Sequence, residues 1–369
     1  MIFRVEIMAA SVLAVSLPAE LYGPLLPGPA ERRLVTVRTD DALAVYDLDR
    51  LAAGDGAPAV TFPAPWPRLA SGVDVVAPGL DLAVFTGLHA VRAVAPDGAT
   101  RWEIGHACWA CEDFHESAEE YAGDGEHRHP DSGSAGFDAD GRAVWVHVRA
   151  PLACDEDEDA GDDPRGESGV EAWLVIDAAD GEVLARADPG TYAAGSEHIP
   201  HPGPGVMGLS VGEGQDGAPA LWGHRQGDHL RIDRLDGDDR ILLAAGPGGH
   251  TFLTIGHERR EELAVHRSSD HAVLGTVSAG DLAPAAPSAG WDYGCGVVDD
   301  RTLIAGTSDD ADGVVARHWL IDVETLEVRA LRYPIGAGSN PFGLGDGTWV
   351  TSGPGPGDVH VWRLPEVLE

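Results

Sequence analysis

Val91-Arg-Ala-Val-Ala-Pro-Asp-Gly-Ala-Thr-Arg-Trp-Glu-Ile104 is the stretch from which the fold reads outward: apolar residues alternate, the chain turns at Asp97-Gly98, and the alternation resumes. An Asp-Gly pair between two alternating runs is a hairpin signal, because glycine accepts the positive φ that a tight turn demands. The same figure recurs at 173–187 around Asp180-Gly181, at 230–245 around Asp236-Gly237 and at 318–333 around Glu324-Thr325. Two further strand-like segments precede each copy, as 73–77 and 82–86 precede the first. Four strands per repeating unit predict an all-β chain built of propeller blades.

Inner strands are expected at 71–76, 134–138, 205–211, 250–255, 293–298 and 340–344, with one more blade around 34–62. That makes a single seven-bladed β-propeller over residues 1–369. The early segment 2–7 is expected to complete the blade that ends at 359–364, so that pairing of the two termini closes the ring and removes free sheet edges. The blade after Glu262 reads as short of a fourth strand. The hairpins at 91–104 and 174–184 resemble blades of quinoprotein-like and WD-repeat-like propellers, with Trp102 near the tryptophan position of quinoprotein blades. The resemblance is to a repeat class and implies the fold; it implies neither a quinone cofactor nor an activity.

Composition agrees with an all-β chain and removes several chemistries. Among 369 residues there are 48 Gly and 26 Pro, and no long stretch shows helical apolar spacing. All 25 basic residues are arginine, so lysine Schiff bases and P-loop lysines are excluded. A net charge of -36 repels phosphate backbones, and no nucleic-acid partner is expected. The apolar run at 7–17 is a poor signal peptide, since Glu6 interrupts it and only Arg4 is basic, and no segment approaches a membrane span. A cytoplasmic protein is therefore expected in preference to a secreted one. Four cysteines are too few for a disulfide framework in a chain of this length.

The unusual residues collect in loops expected on one face, where each blade is entered and where its second and third strands join. The connection 106–133, a lid-like loop, holds His106, Cys108, Cys111, His115, His127 and His129. Thiolates at a two-residue gap, flanked by imidazoles, are ligands for zinc or copper. A Cys108–Cys111 redox pair and a purely structural loop are the other readings of this segment. His198 and His250 are expected at the mouth of the central channel as acid–base candidates, with His201, Asp292, Tyr293 and Asn340 lining it. His257 is expected on the opposite face. The acidic insertion 154–171 reads as a solvated run lacking the spacing of a calcium loop. Two functions follow from different classes. One is a metal-binding propeller acting as a metal-dependent enzyme or a small-molecule binding protein; the other is a non-catalytic platform that docks a protein on the same face.

Overall fold

The computed structural model describes residues 6–25, 32–111, 113–121, 123–128, 130–157, 170–237, 239–282, 290–308, 317–338 and 340–365. Most of the acidic run, residues 158–169, and His129 lie outside them. The chain packs as two compact units: Met1–Arg38 with Val45–Ala59 and Asp239–Glu369, and Thr39–Ala44 with Val60–Asp238. Among the described residues no helix is long and apolar enough to cross a membrane.

In the unit centred on 60–238, four strands, Val75–Val76, Ala83–Thr86, Ala90–Val94 and Thr100–Gly105, form an antiparallel meander. The deciding hairpin is formed: Gly98 sits at φ 85° and Asp97 Oδ1 accepts from the Ala99 amide at 3.0 Å, which closes the turn. An eight-stranded sheet follows, made of two four-strand meanders, 134–187 and 195–234, joined by one parallel pair, Arg186 with His229. Trp102 ties neighbouring sheets together. Its indole donates to Ala178 O at 3.0 Å, and its ring lies against Gly181, where any Cβ would stand 2.7 Å away.

The other unit holds the meander Arg240–Ala245, Thr251–Gly256, Glu262–Arg267 and Val273–Ser278. A second meander, Gly290–Val297 to Val328–Arg332, receives Glu6–Met8 as a parallel fifth strand, and a third runs through Phe342–Gly343, Thr348–Ser352 and Asp358–Arg363. That third meander is completed by Ala10–Ser16, which pairs antiparallel with Asp358–Arg363. The expected union of the two ends of the chain is thus formed, but by 10–16, while the tail of the expected segment pairs elsewhere. The expected blade at 34–62 carries the strands Leu34–Arg38, Ala42–Asp47 and Val60–Pro63.

Two inner strands were expected one strand too late. Asp236-Gly237 does not close a hairpin: His229–Arg234 ends one sheet and Arg240–Ala245 opens another. The innermost strands here are Gly195–Pro200 and Arg240–Ala245, and 206–212 and 251–256 are second strands. The blade after Glu262 consequently has all four strands. Alternation cannot distinguish an intra-blade turn from the link between blades, because both join two half-buried strands through the same Asp-Gly chemistry.

Candidate metal centre and an adjoining polar network

The one-strand shift moves several expected site residues to the other end of their sheets. His250 lies in the turn between an inner and a second strand, where its carbonyl accepts from Ser268 in the adjacent turn, and His257 lies at the inbound end, its amide bonded to Asp239 O. Their expected positions are therefore exchanged. His201 occupies the corresponding turn of its own sheet, with Nδ1 accepting from the Gly203 amide at 2.9 Å. It does not join the inbound loops. Asp292, Tyr293 and Asn340 do sit at an inbound end. Asn340 Oδ1 accepts from Gly294 N at 3.2 Å, and Arg260 lies over the exposed Tyr293 ring at 5.4 Å.

The connection 106–133 is folded against the strand ends rather than poised above them. Cys108, Trp109 and Tyr121 are buried in one apolar cluster with Leu88, Trp145, Trp173 and Met207. Trp109 N donates to Leu88 O at 3.0 Å, and Cys108 N donates to Asp113 O at 2.8 Å, which closes a tight turn and returns Cys111 toward Cys108. Two single 3-10 turns, Ala118–Glu120 and Glu126–Arg128, then bring back the second histidine. His127 stacks on Tyr121 with centroids 4.7 Å apart, and Tyr121 Oη meets His89 Nδ1 at 2.9 Å.

As a result Cys108, Cys111, His115 and His127 each offer a donor atom, all within 4.8 Å of one another. Cys111 Sγ is 3.2 Å from His115 Nε2. Behind the imidazoles stand carboxylates: His115 Nδ1 is 3.3 Å from Glu120 Oε2, and His127 Nδ1 is 3.3 Å from Asp124 Oδ2. Such partners hold a ligating ring in place and raise its basicity. His127 Nε2 is buried without a hydrogen bond, an arrangement that carries a cost of desolvation unless something is bound there. Cys108 Sγ accepts from the Ala110 amide at 3.4 Å; burial nevertheless pushes its thiol up to about 11. Tetrahedral zinc with ordinary Zn–S and Zn–N lengths requires donor separations of roughly 3.3–3.8 Å, so the cluster needs only a small contraction.

His106, expected with these ligands, is not among them. It is buried, its Nδ1 donates to Ala107 O at 2.7 Å, and the residue bridges to Leu152 at the root of the acidic insertion. Burial pushes its pKa down to about 4.

Beside the loop runs a polar chain that sequence reasoning missed. Glu171 Oε2 accepts from His147 Nε2 at 3.1 Å, with both side chains fully buried. The same carboxylate accepts from Thr191 Oγ1 at 2.5 Å and from the Ala193 amide at 2.6 Å. Burial alone would raise the Glu171 pKa, but the bonds from His147, Thr191 and Ala193 outweigh it and hold it below the usual carboxylate value. His147 Nδ1 meets Ser196 Oγ at 2.9 Å, Ser196 meets Ser134 at 2.9 Å, Ser134 meets His198 Nδ1 at 2.8 Å, and Trp173 Nε1 donates to His198 Nε2 at 2.9 Å. His198 therefore has no free nitrogen for acid–base work, contrary to expectation. The available signal was His147 alternating with Val146 and Val148 on a strand of apolar residues; Glu171 was hidden at the end of an acidic run.

Buried neutral histidines make the fold acid-labile. Burial pushes His318 down to about 4, and burial followed by the nearby His147 pushes His198 well below its ordinary value. Their stabilising effect is complete above the unfolded value of about 6.5 and is lost as pH falls toward the folded values, because the unfolded chain takes up protons first. For His318 the full shift corresponds to roughly 3 kcal/mol. Urea midpoints measured from pH 7.5 to 4.5 are expected to fall steadily over that window; a constant midpoint would contradict buried neutral rings.

No protein-family pattern matches this chain, and no curated protein matches it in sequence. The likeness lies in structure. The β-propeller domain of Cps50 (Swd1) from Myceliophteria thermophila superposes with a TM-score of 0.58 at 8% identity, covering 97% of this chain and 100% of that one. The chain has the β-propeller fold. Because 1059 solved chains match, the fold by itself assigns no activity.

Proposed function

We propose that this chain is a seven-bladed propeller whose inbound connection is held by one structural zinc ion on Cys108, Cys111, His115 and His127. The observation that carries the reading is the convergence of four soft or borderline donors within 4.8 Å, each imidazole having a carboxylate close to its Nδ1. Four protein ligands leave no open coordination position, which is the pattern of a structural rather than a catalytic zinc. Two thiolates with two imidazoles favour zinc over a hard oxygen-seeking cation. In this reading the ion fixes the shape of 106–133, and the surface so formed docks a protein. A net charge of -36 favours a partner presenting arginine or lysine.

The test is metal analysis of natively purified protein. One zinc per chain is expected, falling to background in Cys111→Ser. Sub-stoichiometric zinc with sub-stoichiometric copper and iron would overturn the metal reading, and copper alone at one per chain would replace zinc as its occupant.

A further inference from the structure

The polar chain beside the loop has a single consistent proton order, fixed by its two ends. The Glu171 carboxylate, accepting from His147, Thr191 and Ala193, can only accept, so His147 Nε2 carries a proton and donates. In the neutral ring Nδ1 is then a base, and the atom 2.9 Å away is Ser196 Oγ. At the other end the Trp173 indole can only donate, so His198 Nε2 accepts and His198 Nδ1 carries the proton to Ser134 Oγ. The Ser134 hydroxyl is then left to donate to Ser196 Oγ, and the Ser196 hydroxyl proton points to His147.

We infer that Ser196 is a nucleophile, with His147 as its general base and Glu171 as the positioning residue that holds the imidazole. The constellation is acid, imidazole and hydroxyl at hydrogen-bond distances, the arrangement that activates serine on unrelated folds. Ser196 lies at the start of the inner strand Gly195–Pro200 and is half-buried, followed by the exposed Glu197, whereas His147 and Glu171 are sealed. Ser196 is the one member of the network that is not buried. The chemistry that fits is acyl transfer from a small activated ester. Ser196 Oγ bonds to the carbonyl carbon while its proton passes to His147 Nδ1. The carbon–oxygen bond to the leaving group then breaks, and His147 returns that proton to the departing oxygen. Water attacks the acyl-serine, gives its proton to His147, and releases the carboxylic acid as Ser196 is reprotonated. The net reaction consumes one ester and one water and yields one acid and one alcohol.

A biotinylated fluorophosphonate on the full native chain tests this. Phosphonylation at Ser196, located by peptide mass, is expected, together with hydrolysis of p-nitrophenyl acetate that disappears in Ser196→Ala. His147→Gln should slow labelling by about 100-fold, the scale of a general base. Glu171→Gln should lower the maximal labelling rate without changing the half-saturating probe concentration, a split that a loss of folding alone would not give. An unlabelled Ser196 in folded wild-type protein at millimolar probe overturns the inference, and so does labelling equally fast after heat denaturation. Neither result depends on a variant folding.

Discussion

Treating the native protein with a strong chelator, which would strip the proposed zinc, is expected to lower its melting temperature by about 10 °C and to expose two further thiols. A site saturated at 1,000 times its dissociation constant stabilises the folded state by about 4 kcal/mol, and in a unit of this size each kcal/mol moves the midpoint by roughly 2–4 °C. The four cysteines supply internal controls for alkylation. Cys154 is exposed and should react at once, and Cys295 is buried and should not react in either state. Cys111 is half-buried, so its protection before chelation is the informative reading; Cys108, buried regardless, should follow only as the loop loosens. Immediate reaction of both Cys154 and Cys111 in untreated protein, with no change in melting temperature on chelation, would mean that no ion bridges the loop.

Replacing Glu171 by alanine is expected to destabilise the protein by about 3–5 kcal/mol, since it strands the groups of a buried charged hydrogen-bond network. Three donors lose their acceptor at once: His147 Nε2, Thr191 Oγ1 and the Ala193 amide. The Glu171 side chain is fully buried, so water cannot take over those bonds without opening the strand ends. Because its folded pKa is depressed, its contribution persists through neutral and mildly acidic pH and is lost only below the ordinary carboxylate range. Urea denaturation of Glu171→Ala and Glu171→Gln at pH 7 checks this. A loss below 1 kcal/mol in the alanine variant would show that the network is not held by this acid.

These two sites differ in how far they were readable from residue order. The donors proposed to hold zinc were legible because they cluster in one long connection, where local spacing alone brings Cys108 and Cys111 together. The roster was too long by His106, since nothing in its spacing says that its ring turns to the Ala107 carbonyl. Of the Glu171 network only His198 was singled out, and in another role. Its members come from 134, 147, 171, 191, 196 and 198, on several strands and one connection, and each alone is an ordinary strand or loop residue.

Alternating apolar residues and Asp-Gly turns determined by themselves that the chain forms meanders of antiparallel strands, because a period of two and a positive-φ glycine are local requirements satisfied in any context. The same local chemistry also fixed which loop concentrates thiolate and imidazole. Only the tertiary structure decided which strand of each meander is innermost, and with it whether His250 or His257 faces the inbound loops. That choice depends on which sheet a strand pairs into, and neighbouring sheets compete for it through identical backbone groups. Burial decided the rest: it took both nitrogens of His198 into hydrogen bonds and left His147 Nδ1 as the base beside Ser196.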